Sequence, residues 1–398
     1  MAGRIETAEV VIVGGGVIGA SVAYHLAARG CRDVVVLERL AELGGGSTSR
    51  ATGGFRAQFA TEVNVRLSLL ARAKLLRFRD EVGADPGYRP CGYLFLARDE
   101  AQLATLRSFA PLQRAAGLTE VIEVGPGPEE VRRWNPAVRA DGVVGGTFCP
   151  SDGFIRPLAL LGGYVEAARR LGVRFELDSE VVALEVAQRS GERRVTAVAT
   201  RRGRIAARHL VNAAGAWAAA LAKMASVELP VAPLRRQVAT TEPFGGLPED
   251  MPMTIFLEDG FHLRVRDGRV LLLWPADLPA NASNPYDAAF VPSWLDGLLP
   301  RARARVPCLA AAAVDRAGCW AGLYEMSPDK HAIVGPAPGC PNFLLVNGSS
   351  GHGVMHSPAL GQLAAEMILD GGAQAIDLAA LRPSRFAEGQ PNPASDVL

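Results

Sequence analysis

The stretch that decides the fold reads Glu9-Val10-Val11-Ile12-Val13-Gly14-Gly15-Gly16-Val17-Ile18-Gly19 and runs on to Glu38. Val10 to Val13 is a β-branched run that stops at a glycine, as a short buried parallel strand does. Val17 to Arg29 has helical spacing with small residues on one side, and Gly30 ends it. Val34 to Leu37, flanked by Asp33 and Glu38, is a second buried strand. Strand, helix and strand within about 30 residues form the βαβ unit that opens a doubly wound sheet. In Gly14-x-Gly16-x-x-Gly19, Gly14 permits the tight turn, Gly16 lets a pyrophosphate approach the backbone, and Gly19 lets helix and strand pack closely. Val17 and Ile18 begin the helix, whose free N–H groups and partial positive charge suit phosphates. Glu38, followed by Arg39, lies 19 residues past Gly19, where it accepts ribose hydroxyls and disfavours a 2′-phosphate. A dinucleotide site is expected here.

Composition narrows the class. A chain of 398 residues suggests two or three domains, and 49% hydrophobic residues with a net charge of +1 exclude general disorder. So even a balance gives no pull towards nucleic acid or anionic lipid. The apolar run Val10–Leu26 is broken by glycines and preceded by Glu6 and Glu9, which argues against a signal peptide or membrane helix. The six cysteines are scattered without a CxxC, which suits a reducing, cytoplasmic setting. His352 and His356 lie four apart without a partner cluster, so no metal site is expected. All but three of the 42 basic side chains are arginine, and none of the lysines falls between Pro230 and Ala313.

Further along, a long helix is expected over Glu62–Glu81, a strand at Gly92–Leu96 and a helix at Asp99–Ala116. From Pro230 to about Ala313 the pattern becomes alternating strands, with a hairpin about Asp267-Gly268 facing a ligand. Two late features favour FAD over NAD. Asn212-Ala213-Ala214-Gly215-Ala216-Trp217 is a strand end with small residues, and Gly348 to Gly353 is a second glycine-rich turn before a helix. A long cofactor touched by both ends of the chain fits FAD better.

Five ordered motifs carry a resemblance. They are Val13–Gly19, Gly46-Ser47-Thr48-Ser49-Arg50-Ala51-Thr52-Gly53-Gly54-Phe55-Arg56, Asn212–Trp217, Gly322-Leu323-Tyr324-Glu325-Met326-Ser327-Pro328-Asp329 and Gly351-His352-Gly353-Val354-Met355. Over nearly its whole length the chain resembles the D-amino-acid-oxidase-type flavoproteins, most of all the sarcosine oxidase branch. Glycine oxidase and the β subunits of dye-linked proline dehydrogenases are further relatives. The resemblance implies an α/β fold: a Rossmann-type, glutathione-reductase-like FAD domain from separated segments, plus an α+β substrate domain with a mostly antiparallel sheet. The segments expected are 1–88, 152–226 and 320–385 for FAD, 89–151 and 227–319 for substrate, and 386–398 as a loose tail. Besides Gly14, Gly16, Val17, Ile18, Gly19, Glu38 and Arg39, it implies cofactor contacts from Gly46, Ser47, Thr48, Val181, Ala213, Gly215, Trp217, Gly351, His352, Gly353, Val354 and Met355.

Family members remove a hydride equivalent from a C–H next to an amine, giving an imine that water hydrolyses. In the sarcosine branch an arginine at the position of Arg56 binds the substrate carboxylate, which suits a planar bidentate fork. A surface ion pair is the other reading of Arg56. Tyr324 matches a tyrosine of the substrate pocket, with a core tyrosine as its alternative. His352 and, less directly, His262 are candidate active-site histidines, and either is also readable as structural. Three departures qualify the likeness. Monomeric sarcosine oxidases link FAD to a cysteine where this chain has Gly322, and Cys319 is three residues too early, so non-covalent FAD is expected. Met355 replaces a carboxylate-binding lysine, leaving a more apolar site. The lysine that promotes reaction with oxygen is absent from the pocket sheet. The expected activity is oxidation of a secondary amino acid such as sarcosine, with oxygen as acceptor. A dye- or quinone-linked, proline-type dehydrogenase or a subunit of a larger complex, and a non-catalytic flavoprotein, are the alternatives.

Overall fold

A computed structural model describes residues 6–189, 191–276 and 283–394. β1 (Glu6–Val13) leads through the glycine turn into α1 (Val17–Ala28), and β2 (Val34–Leu37) lies parallel to β1 with Val13 opposite Leu37. Two strands extend this sheet in parallel, Arg174–Glu176 beside β2 and Gly203–Asn212 beside β1. Cys340–Asn347 lies parallel to the latter, and Ile333–Ala337 closes the edge antiparallel. A meander, Val181–Arg189 and Glu192–Thr200, runs antiparallel off Gly203–Asn212. The first sheet is therefore assembled from residues more than 300 apart in sequence, in the doubly wound arrangement expected from the glycine turn.

Its helices are packed closely because their contact faces are small. α1 is buried along nearly its whole length and packs against helices Pro157–Arg170 and Gly353–Leu369. A Cβ on Gly361 would come within 2.1 Å of Ser21 Oγ, so only glycine admits this crossing.

The second sheet runs, in spatial order, Trp320–Met326, Ala232–Thr240, Arg269–Leu273, His262–Arg266, Met253–Phe256, Tyr93–Ala97, Gly145–Cys149 and Ile122–Val124. All its pairs are antiparallel except Tyr93–Ala97 with Met253–Phe256. Asp267 and Gly268 form the expected hairpin turn, both with positive φ, at 55° and 71°.

Four expectations differ from the structure. The helix over 62–81 is two helices, Glu62–Leu76 and Phe78–Val82, because the chain tightens at Arg77 and turns Phe78 into the core. The stretch from 230 to 313 is not all strand: Trp294–Arg305 is a helix whose Leu295, Leu298 and Ala302 recur at helical spacing on the second core. Trp320–Met326 lies in the second sheet, pairing with Ala232–Thr240, although it falls within a segment expected in the first domain. The segment after 385 is anchored at least as far as Asn392, which donates its backbone N–H and side-chain amide to Asp329 at 3.0 Å each. No helix among the described residues is long and apolar enough to cross a membrane.

Candidate active site

The two sheets meet at a cleft of about 510 Å³ that starts at the end of β1 and β2. Gly14 holds a φ of +115° there, and a Cβ on it would lie 2.2 Å from the Ala213 carbonyl oxygen. Gly15 N–H and Leu40 N–H donate to the two carboxylate oxygens of Glu38 at 2.8 and 3.0 Å, which aims that side chain along the rim. Each oxygen keeps a second lone pair for a hydroxyl donor. Arg39 stacks on the Trp217 ring at 3.6 Å, and Trp217 in turn stacks on Tyr286. Val181 begins its strand on the same rim.

Two helices point their N-termini into the cleft. α1 starts after Gly16 and the Gly353–Leu369 helix after His352, neither with a side-chain cap and neither with an acid in its first turn. Val17 N–H donates to Thr48 Oγ1 at 3.1 Å, and Ser47 Oγ donates to the Leu323 carbonyl at 2.6 Å. Those bonds tie the Gly46–Arg50 turn between the sheets. Gly351, with φ at +93°, lies so close to Tyr324 that a Cβ would meet the ring at 2.4 Å. Uncapped helix N-termini attract anions and partial negative charge, so this donor set fits a pyrophosphate and an electron-accepting ring of one long cofactor.

Of the residues singled out from the sequence, all but Gly19 line this cleft. Gly19 sits behind it, where a Cβ would come within 2.0 Å of the Gly14 carbonyl oxygen, and its part is the close packing expected of it. Cys319 is buried with its thiol donating to the Asp315 carbonyl at 3.2 Å, and among the described residues no cysteine lines the cleft.

A second cavity of about 270 Å³ opens beside the first, and Arg56, Tyr324, His262 and His352 line both. Arg56 is only 8% exposed, which removes the reading of a surface ion pair. Its guanidinium stacks on Phe59 at 3.9 Å, donates to the Gln58 carbonyl, and donates to His352 Nε2 at 3.2 Å. Among the described residues no carboxylate lies within ion-pair distance of it. Burial lowers its pKa to about 10, so it stays a cation at neutral pH. Burial and the Arg56 charge together push His352 well below its ordinary value. His352 is thus a neutral imidazole that accepts from Arg56. His262 is also held low by burial, with its Nδ1–H donated to the Gly260 carbonyl at 2.8 Å. His356 is occupied elsewhere, with Nε2 2.8 Å from Ser68 Oγ. Tyr324 is 38% exposed, its ring open to the cavities, and burial of the phenol raises its pKa.

Several lining residues escaped sequence reasoning. Arg236 and Gln237 line both cavities from the strand Ala232–Thr240. Their signal was weak: a polar Arg-Gln pair entering an apolar strand on a sheet already expected to face a ligand. Phe59 and Phe95 line the second cavity, and Asp152 and Gln58 hold the Arg56 loop from behind it. Nothing local in the sequence marks them.

The comparisons with known proteins agree with this geometry. Residues 9–367 match the model of the FAD dependent oxidoreductase family. The chain is 30% identical to the FAD-dependent oxidoreductase domain-containing protein 1 of Bos taurus, covering 97% of this chain and 86% of that protein. It is 29% identical to the mitochondrial dimethylglycine dehydrogenase of Homo sapiens, over 96% of this chain but 45% of that one. Among solved structures, the L-proline dehydrogenase of P. horikoshii superposes with a TM-score of 0.88 at 26% identity, covering 98% of this chain and all of that one. A glycine-turn cleft, two open helix N-termini and a family match over most of its length place this chain in the FAD-dependent oxidoreductase family.

Proposed function

We propose that the enzyme oxidises a small secondary amino acid, sarcosine or another N-methyl or cyclic one, at the C–H next to nitrogen. The observation that carries this reading is Arg56: a buried cation, without an acid partner among the described residues, at the junction of the two cavities. A desolvated charge of this kind is costly unless something pairs with it, and a substrate carboxylate is the group that would. Arg56 then fixes the carboxylate, and the neutral His352 keeps the fork turned into the cavity. Tyr324 presents its ring to the amine, a contact worth about 0.5–2 kcal/mol for a cation over an aromatic face. FAD, held without a covalent bond, supplies the two-electron acceptor for the hydride that leaves carbon. The ammonium nitrogen first gives up a proton to water, and once the hydride has left, water adds to the iminium carbon and separates the carbonyl product from the amine, or opens the ring of a cyclic substrate. The likeness to a proline dehydrogenase and a dimethylglycine dehydrogenase supports the substrate class.

Oxygen is the acceptor in this reading, with Arg56 and Arg236 as the cations beside the cleft in place of the missing lysine. A dehydrogenase that hands electrons to a dye, a quinone or a partner subunit is the second reading, favoured by that missing lysine. One anaerobic titration separates them. Sarcosine, then proline, is added to the yellow protein, the flavin absorbance is followed, and air is admitted. Bleaching followed by quick recovery is the expected result. Bleaching that persists in air makes the protein a dehydrogenase, and no bleaching with either compound overturns the substrate class.

A further inference from the structure

The loop that carries Arg56 is held by one buried carboxylate on a different part of the chain. Asp152 follows the strand Gly145–Cys149 and is fully buried. Its Oδ1 accepts the Ala57 N–H at 2.6 Å, and its Oδ2 accepts the Gln58 side-chain amide at 3.1 Å. The same amide reaches the Tyr93 carbonyl at 3.2 Å, and the Gln58 carbonyl accepts from Arg56 Nη1. So the residues after Arg56 are clamped at two consecutive positions, and the guanidinium is turned to His352 and the cavities. Asp152 is not itself paired with Arg56, and it lines neither cavity.

We propose that Asp152 is a positioning residue for substrate: through Ala57 and Gln58 it sets the Arg56 fork for bidentate capture of a carboxylate. This rests on the reading of Arg56 as the carboxylate site. An acceptor at Asp152 that is ionised serves better than a neutral one, because charge-assisted bonds to N–H donors are about twice as strong. Burial raises the Asp152 carboxyl to about 6, against the opposing pull of the Ala57 and Gln58 bonds and of Arg56. It therefore gains a proton as pH falls through about 6, and the clamp on Arg56 loosens in that range.

The other groups facing Asp152 do not change charge there. Arg56 remains a cation, burial pushes Tyr88, Tyr93 and Cys149 upward, and Glu120, bonded to Ser151 and Arg72 against the cost of burial, is held low. The neighbouring His352, His356, His262 and His331 are all lowered by burial. Glu325, raised by burial to about 7, lines the first cleft and is retained in every variant, so a change that it causes should persist in Asp152→Asn.

The test uses the holoenzyme and trifluoroacetate, a carboxylate that cannot be oxidised and stays ionised throughout, with binding read from the perturbed flavin absorbance. Wild type, Asp152→Asn, Arg56→Met and the double variant are titrated from about pH 7.5 to about pH 5. Wild-type affinity is expected to fall about tenfold with a midpoint near pH 6, and that midpoint should vanish in Asp152→Asn. At pH 7.5 Asp152→Asn should weaken binding about tenfold, and the double variant should bind no worse than Arg56→Met alone. For sarcosine, KM should rise by a larger factor than kcat falls. Gln58→Met removes the bond to Asp152 Oδ2 but leaves the acid and its bond from Ala57 in place, and should weaken binding by a smaller factor, so the idea stays testable if Asp152→Asn folds poorly. A flat wild-type profile, or losses in the double variant that simply add, overturns the role of Asp152. If Arg56→Met binds trifluoroacetate as wild type does, the carboxylate site itself is misassigned.

Discussion

Arg385 and Arg56 are both buried arginines, and they are satisfied in opposite ways. Arg385 is fully buried and meets the equally buried Asp329 side chain in a two-pronged pair, Nε to Oδ2 at 2.8 Å and Nη2 to Oδ1 at 2.9 Å. Its remaining donors go to the carbonyls of Leu381, Arg382 and His331. Arg56 has one carbonyl, one neutral imidazole and a phenyl face. A buried guanidinium with its own carboxylate is structural, joining the C-terminal segment to the turn after Met326. One without a carboxylate among the described residues is proposed to hold a site open for substrate, and the contrast separates the two roles more sharply than sequence position does.

The largest test of the contrast is Arg385→Met. It strands the Asp329 carboxylate in the interior and should cost about 3–5 kcal/mol, read as a lower denaturant midpoint. Arg56→Met removes a cation that no carboxylate among the described residues meets at ion-pair distance, so stability should hold or rise. Its cost should fall on binding: losing a two-pronged bond to a charged group is worth about 3 kcal/mol, or a KM for the amino acid raised about 100-fold. An equal loss of stability in both variants would break the comparison.

Acid should act on the structural pair. Burial pulls the Asp329 carboxyl upward, but the bonds from Arg385 and Asn392 outweigh it and hold the group far below its ordinary value of 3.8. A folded-state value below the unfolded one gives stability that is present above about pH 4 and lost as pH falls below it. Thermal melts between pH 7 and pH 3 should show that loss in wild type and a weaker one in Arg385→Met. The smallest effect is expected from Met355→Lys, which adds a cation to the cleft that Arg56 and Arg236 line. The ratio of sarcosine to proline turnover should rise a few-fold, about 1 kcal/mol of discrimination. An unchanged ratio would show that residue 355 does not shape the substrate site.

The sequence was legible where its meaning is local. The turn at Gly14, the helix start at Val17 and the acid at Glu38 fall within one βαβ unit, where Gly19 answers a steric demand from the Gly14 carbonyl and Gly14 one from Ala213 at the end of the strand beside it. Trp320–Met326 was harder. Its residues suit either sheet, and its place was decided by hydrogen bonds to Ala232–Thr240, far away in sequence. The helix Trp294–Arg305 hid among Pro- and Gly-rich turns, although its apolar spacing was present. Asn392 looked like tail because the Asp329 carboxylate that holds it is 63 residues away.

By itself the sequence determined a dinucleotide site, since a glycine turn between two β-branched runs, with an acid at the end of the second, has few other uses, and the small-residue strand end at Asn212–Trp217 and the glycine turn Gly348–Gly353 then favoured FAD. It also set the number and type of charges available to the site. Only the tertiary structure decided which of those charges go unpaired. Whether Arg56 meets an acid depends on partners such as Gln58, bonded to an aspartate 94 residues on, and His352, which is 296 residues away. The energy of a buried charge is set by what surrounds it in space, and chain order does not carry that information.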